Sequence, residues 1–209
     1  MSPDELTSAI DQIAVVDTDV SRVLGDTGYP KPRNRAAGFH AFVSTVVSQQ
    51  LSTKAANTIF KRVCVAVPEL SPEGLLRASV EDLRGAGLSA RKVEYLQGLA
   101  KATLSGEFDP DALESMDDQQ AIRSIVRLRG FGVWTAKIYL MFSLGRKDIF
   151  PEDDLALVVA LQHLKGLESR PKPSAALELT RTWSPNRSAG SLFLWKYYSC
   201  NVRPASSGI

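Results

Sequence analysis

The chain has 209 residues, of which 44% are hydrophobic and 23% charged, enough for a sizeable core in one domain or in two small lobes. A formal net charge of +2 does not mark a nucleic-acid binder, so any such surface has to come from local clustering. Cys64 and Cys200 are too few for a four-cysteine iron–sulfur site, and no apolar run reaches membrane-spanning length. The pattern is helical almost throughout. Ser2 can cap a first helix, with Pro3 at its first position and Glu5 completing a capping box, so this start reads as a helix and not as a basic leader. Asp17 is placed to cap a second helix to Leu24, and Gly28 to Pro32 reads as a loop. Phe39, Phe42, Val43, Val46 and Val47 share one face of an amphipathic helix. Ser52 should cap the next helix, to about Val67. Cys64 lies in its apolar stripe with Phe60 and Val63, which predicts a buried thiol in a reducing, intracellular compartment. Ser71-Pro72-Glu73 and Ser79 with Asp82 mark two more starts. Further helices are predicted over 89–104, 117–127, 134–144, 153–165, 174–182 and 187–202, with 205–209 as a frayed, disordered tail. No long alternating pattern competes, so the expected fold class is all-α.

The most informative stretch runs from Leu128 to Asp154. Leu128-Arg129-Gly130-Phe131-Gly132 is a Leu-x-Gly-x-Gly turn opening into the apolar helix that begins at Trp134. The glycines permit positive φ and close backbone approach, and the amides of a helix start form a natural phosphate site. Asp154, twenty-two positions past Gly132, ends the stretch Phe150-Pro151-Glu152-Asp153-Asp154, which starts another helix with a carboxylate. A phosphate grip followed by an acid at a helix start points to an enzyme acting on nucleic acid. Taken alone, those acids also fit the ordinary preference for negative charge in a helix's first turn. Leu83-Arg84-Gly85-Ala86-Gly87 echoes the turn forty-five residues earlier, either as a degenerate hairpin or as a plain tight turn.

Leu128 to Asp154 resembles the helix-hairpin-helix DNA glycosylases, whose signature is such a hairpin, a Gly/Pro-containing loop and a catalytic aspartate. Other motifs extend the resemblance to the 3-methyladenine DNA glycosylase II family. Gly38-Phe39-His40-Ala41-Phe42 through Val47-Ser48-Gln49-Gln50-Leu51-Ser52, then Lys54-Ala55-Ala56, is similar to that family's conserved helix pair. Leu83-Arg84 with Gly87-Leu88-Ser89, Lys92 and Tyr95-Leu96 resembles its next segment. Trp183-Ser184-Pro185-Asn186-Arg187-Ser188, followed by Trp195, resembles its C-terminal signature. The resemblance implies two helical lobes around a DNA-binding cleft, one of residues 1–51 plus 149–209 and one of 52–148 carrying the hairpin at 128–144. It also implies the compact form of the family, without the N-terminal β domain of longer members. The implied partner is double-stranded DNA with damaged bases, met by a monomer without membrane attachment. The expected place is the cytoplasm, at the nucleoid, of a bacterium or the nucleus of a eukaryote.

In this resemblance Asp154 takes the catalytic position, with Asp153 the alternative if the register shifts by one. A carboxylate beside the sugar stabilises the positive charge that builds as an N-glycosidic bond breaks. Gln50 matches the residue that intercalates into the duplex, with Leu51 in reserve; its other reading is a side chain satisfying helix-end carbonyls. Gly130, Gly132, Trp134 and Thr135 would hold the DNA backbone together with Arg129, and Lys54, Arg91, Lys92 and Arg146 are further candidate cations; the other reading of each of these five basic residues is a solvated surface side chain. The carbonyls of Val126, Leu128 and Phe131 correspond to the ligands of a structural Na+ or K+ at the hairpin. No cofactor is otherwise required, and no iron–sulfur cluster is expected. Trp134, Phe39, Tyr139 and Trp183 are the candidate base pocket, because cationic alkylated bases stack on aromatic faces; their other reading is core packing. Ile138, Leu155 and Asn186 stand where the family has aromatics, which leaves the lesion range open. Pro185, Arg187 and Ser188 are expected to brace the final helix, with Trp195 in the core.

Bifunctional relatives carry a Schiff-base lysine two positions after the hairpin's last glycine. Here that position is Trp134, and Lys137 lies nearly a turn further on. The expected function is a monofunctional glycosylase of base excision repair that flips out an alkylated purine, hydrolyses its N-glycosidic bond and leaves an abasic site. One alternative is a bifunctional oxidised-base glycosylase/lyase. The other is a non-catalytic damage-binding protein, which would keep hairpin and wedge without needing Asp154.

Overall fold

Caps set most of the element boundaries. The computed structural model describes residues 1–202, so the expected tail at 205–209 lies outside the described residues. Helix α1 (Pro3–Val16) starts with the predicted capping box: Ser2 Oγ accepts the Glu5 N–H at 3.1 Å and the Glu5 carboxylate accepts the Ser2 N–H at 2.8 Å. Asp17 caps α2 (Thr18–Thr27), which outruns its expected end at Leu24 until Gly28 stops it at φ +66°. Then come α3 (Phe39–Ser48), α4 (Thr53–Ala66) capped by Ser52, α5 (Pro72–Arg77) capped by Ser71, α6 (Val80–Gly85) capped by Ser79, and α7 (Ala90–Leu104) capped by Ser89. A 3-10 turn at Ala112–Glu114, too short to show periodicity in the sequence, precedes α8 (Asp118–Val126) and α9 (Val133–Phe142). The chain ends in α10 (Leu155–Leu164), α11 (Pro173–Leu179), a 3-10 turn at Arg181–Trp183, and α12 (Arg187–Tyr197) with a π-helical turn at Tyr198–Val202. No strand occurs among the described residues, and no helix there is long and apolar enough to cross a membrane.

The helices form two compact units. One comprises Met1–Asn34 and the described residues from Leu140 onward; the other is Arg35–Tyr139. The first buries Leu6, Ile10 and Ile13 of α1, Leu157 and Leu161 of α10, and Phe193 and Leu194 of α12. Within this apolar core, Asp17 accepts from Lys165 Nζ at 2.7 Å on each oxygen and from Trp183 Nε1 at 2.7 Å. So full a set of donors is what makes a buried carboxylate tolerable.

The second unit is organised around Phe42, whose ring centroid lies 4.4 Å from Tyr139, 5.1 Å from Phe108 and 5.5 Å from Phe131. Val43, Val46 and Val47 complete the buried face of α3. These contacts place α3 with residues 35–139. The boundaries therefore fall at 34/35 and 139/140 and differ from the expected division at 51/52 and 148/149. The two Leu-Arg-Gly-x-Gly pentapeptides also fold differently. In the first, α6 runs through Gly85, and Gly87 at φ +106° closes its C-terminus as Leu88 N–H bonds to the Leu83 carbonyl. In the second, positive φ falls on the third residue, Gly130.

Candidate functional site

The hairpin joins α8 to α9 through Leu128–Gly132. Leu128 N–H donates to the Ile125 carbonyl at 3.0 Å, and Phe131 N–H to the Leu128 carbonyl at 3.1 Å, while both side chains are buried. Gly130 adopts φ +93°, and a Cβ there would lie 2.3 Å from the Tyr95 ring. Only glycine fits on both counts. Gly132 differs: its φ is not positive, and a Cβ would meet nothing within 4 Å. Its open side leads into the start of α9, where helix amides can receive an anion. Trp134, the second residue of α9, is 45% exposed, and Thr135 beside it is half-buried. Arg129 is ion-paired with Glu94, both side chains being largely exposed, which offsets part of its charge.

The turn between α3 and α4 lies in the same unit. Helix α3 ends at Ser48 and Gln49 is its C-cap. Gln50 follows in the left-handed region at φ +58°, and Leu51 is 39% exposed. A non-glycine residue with positive φ is uncommon and persists where its surroundings over-determine it. Those surroundings are specific. Lys92 Nζ donates to the Val47 carbonyl at 2.7 Å and to the Gln49 carbonyl at 2.8 Å, so it is a lysine and not Gln50 that satisfies the helix end. Gln49 Nε2 donates to the Gly130 carbonyl at 2.9 Å, tying this turn to the hairpin. Lys92, a candidate DNA contact whose other reading is a solvated surface cation, is thus half-buried against the end of α3, and desolvation pushes its ammonium below the usual lysine range. Sequence reasoning missed Gln49, because nothing local to a glutamine reports a partner eighty-one residues away.

In the other unit, the segment before Asp154 is fastened to the start of α12. Arg187 grips Asp148 with two bonds of 2.7 Å. Ser188 Oγ donates to the Arg146 carbonyl at 2.7 Å and accepts the Ile149 N–H at 3.0 Å. Burial raises the Asp148 carboxyl, but the Arg187 guanidinium, the Ser184 hydroxyl and the Arg187 N–H outweigh it and hold the group below the ordinary carboxylate range. Phe150 and Pro151 are buried, and Asp154 N–H closes a turn onto the Pro151 carbonyl at 3.0 Å. Asp154 is the N-cap of α10. Its Oδ1 accepts the Leu157 N–H at 3.0 Å and the Trp195 Nε1–H at 3.2 Å. Asp153, one residue earlier, is exposed, as is Leu155 just after. Trp195, expected only as core, is half-buried and holds the carboxylate; the Phe142 ring and the Arg33 guanidinium each lie 5.8 Å from its ring.

Of the expected pocket aromatics, Trp134 alone is largely exposed. Trp183 is 1% exposed and spends its one donor on Asp17, with a ring carbon only 2.3 Å from where a Gly190 Cβ would stand; it is a core residue and not part of the expected base pocket. Tyr139 is 5% exposed, packs against Phe42 with the two rings tilted by 31°, and accepts the Gly38 N–H at 3.0 Å, so its ring too is committed to packing. Phe39 is half-buried at the first turn of α3.

An all-α chain with a helix-hairpin-helix turn and a helix-capping aspartate that follows it belongs to a class of base-excision proteins. Specifically, the chain belongs to the HhH-GPD superfamily of base excision DNA repair proteins, whose family model matches residues 43–186. It is 30% identical to DNA-3-methyladenine glycosylase 1 of Schizosaccharomyces pombe, over 95% of this chain and 92% of that one. The crystal structure of a DNA-3-methyladenine glycosidase from Bacillus halodurans superposes with a TM-score of 0.82 at 32% identity, covering 92% and 89% of the two chains. The S. pombe 3-methyladenine DNA glycosylase solved in complex with abasic DNA gives 0.77 at 30% identity, covering 90% and 95%.

Proposed function

We propose that this protein is a monofunctional DNA glycosylase of base excision repair. It flips an alkylated purine, of the 3-methyladenine or 7-methylguanine type, out of duplex DNA and hydrolyses its N-glycosidic bond, leaving an abasic site. The observation that carries the reading is the Asp154 carboxylate, held at a helix N-cap by two N–H donors on one oxygen. As the bond breaks, its electron pair leaves with the base and positive charge develops on the sugar. A carboxylate already oriented by Leu157 and Trp195 stabilises that charge without reorganising. Water then adds to the sugar and gives up its proton, for which the same carboxylate is the candidate acceptor. A base cationic through ring alkylation leaves readily, so the site needs little acid catalysis.

The hairpin's amides at Gly130, Gly132, Trp134 and Thr135 would hold phosphate without reading sequence, and Gln50, with Leu51 beside it, would fill the space the flipped base vacates. The exposed face of Trp134 suits a cationic base. The carbonyls of Val126, Leu128 and Phe131 offer oxygen donors suited to Na+ or K+; the Leu128 oxygen already accepts one N–H and keeps a second lone pair for such an ion. The protein would act as a monomer. Tryptophan at the position of the Schiff-base lysine favours the monofunctional reaction over the lyase. The test is incubation with methylated duplex DNA. The expected result is release of 3-methyladenine, strands cut only after added alkali, and no adduct trapped by borohydride. A trapped adduct, or strand cleavage without alkali, would contradict the reading.

A further inference from the structure

We propose that Gln49 is a positioning residue that locks the wedge turn to the hairpin, so that phosphate grip and base extrusion share one rigid frame. This rests on the reading of Gln50 as the wedge.

Three ties connect that turn, the hairpin and α7 within residues 35–139. Lys92 and Tyr95 stand three apart on α7 and therefore share one face of it. Lys92 holds the Val47 and Gln49 carbonyls at the end of α3, while Tyr95 packs so closely on Gly130 that no Cβ fits between them. Helix α7 thus braces the wedge turn with one side chain and the hairpin with the other. The Gln49 amide closes the triangle by donating directly to the Gly130 carbonyl at 2.9 Å. Gln50 is then presented at φ +58°, exposed, between a capped helix end on one side and Ser52, the cap of α4, on the other. A left-handed glutamine has no preference for that conformation and keeps it only while its neighbours are fixed. Without the Gln49 tie, the hairpin could seat on its phosphates while the wedge misses its register. The predicted defect lies in the flipping step and leaves duplex affinity intact.

The experiment is a double-mutant cycle in the full chain using Gln49→Met, which keeps length but loses the donor, and Gln50→Ala. Three quantities are read: single-turnover release of 3-methyladenine from methylated duplex at saturating protein, affinity for a duplex carrying a tetrahydrofuran abasic analogue, and melting temperature. Gln49→Met should slow release about tenfold, the scale of one lost hydrogen bond, with affinity within about twofold. In the Gln50→Ala background it should cause no further loss, because a residue acting through the wedge has nothing left to position. Gln49→Glu, matched in shape and without the donor, should reproduce the defect, and it carries the test if Met disturbs folding. Equal losses in both backgrounds, or full activity in Gln49→Met beside an impaired Gln50→Ala, would overturn the tether while leaving the wedge reading standing. Unimpaired release by Gln50→Ala would instead remove the wedge reading, and this inference with it.

Discussion

Gly130→Ala is the substitution whose cost can be worked most directly from the structure. The added methyl meets two separate obstacles. Its backbone sits at φ +93°, where an L residue is disfavoured by roughly 1–2 kcal/mol. Its Cβ would lie 2.3 Å from Tyr95 Cδ2 and 2.6 Å from two further ring carbons, an overlap relieved only if the ring or the hairpin moves. Forcing extra volume into a packed contact costs about 1–3 kcal/mol. Together these give roughly 3 kcal/mol, which in a chain of this size lowers the melting temperature by about 6–12 °C. Gly132→Ala is the matched control: its φ is not positive and its Cβ meets nothing. It should leave the melting temperature nearly unchanged yet weaken duplex binding, because the methyl would intrude on the side proposed to receive a phosphate. Thermal melts and titrations with fluorescent duplex separate the two effects. If Gly132→Ala destabilises more than Gly130→Ala, or Gly130→Ala melts like the parent, the account of the hairpin is wrong.

Two other perturbations have outcomes set by named bonds. Trp195→Phe keeps the ring beside Phe142 but removes the donor to Asp154 Oδ1. At 3.2 Å and half-buried, that charge-assisted bond is taken at the low end of its range, about 1.5 kcal/mol, so single-turnover base release should fall about tenfold with DNA affinity unchanged. An unchanged rate would show that Trp195 does not hold the carboxylate. Asp148 titrates below its usual 3.8 in the folded chain, so the stability it lends is fully present above that value and drains away as pH falls through the lower, folded one. Asp148→Asn should therefore melt lower than the parent at pH 7, with the gap closing below about pH 4. A gap that widens on acidification would reverse the sign.

Much of this was legible in the chain because it is local. Ser2, Asp17, Ser52, Ser71, Ser79, Ser89 and Asp117 each cap the helix expected after them, since a cap and the N–H it accepts from lie within three residues. The apolar stripe from Phe42 to Val47 is buried for the same reason of short-range periodicity. What the sequence hid depends on partners far along the chain. Lys92 reads in the sequence as one more surface cation, yet its ammonium is spent on two carbonyls at the end of α3. Trp183 and Trp195 are both tryptophans near the C-terminus, yet one donates to Asp17 in the core and the other to Asp154 at its edge. Neither fate follows from spacing. The unit boundary was misplaced because Phe42 belongs with Phe108, Phe131 and Tyr139, sixty or more residues downstream.

The central claim is that Asp154 performs the excision. The direct measurement compares the parent and Asp154→Asn for single-turnover release of 3-methyladenine from methylated duplex, alongside binding to the abasic-analogue duplex. An asparagine oxygen can still accept from Leu157 and Trp195, so the cap and the fold should survive. Release should fall by about a hundred- to a thousandfold, the scale of a lost transition-state charge interaction, with binding retained. Near-normal release by Asp154→Asn would contradict that claim.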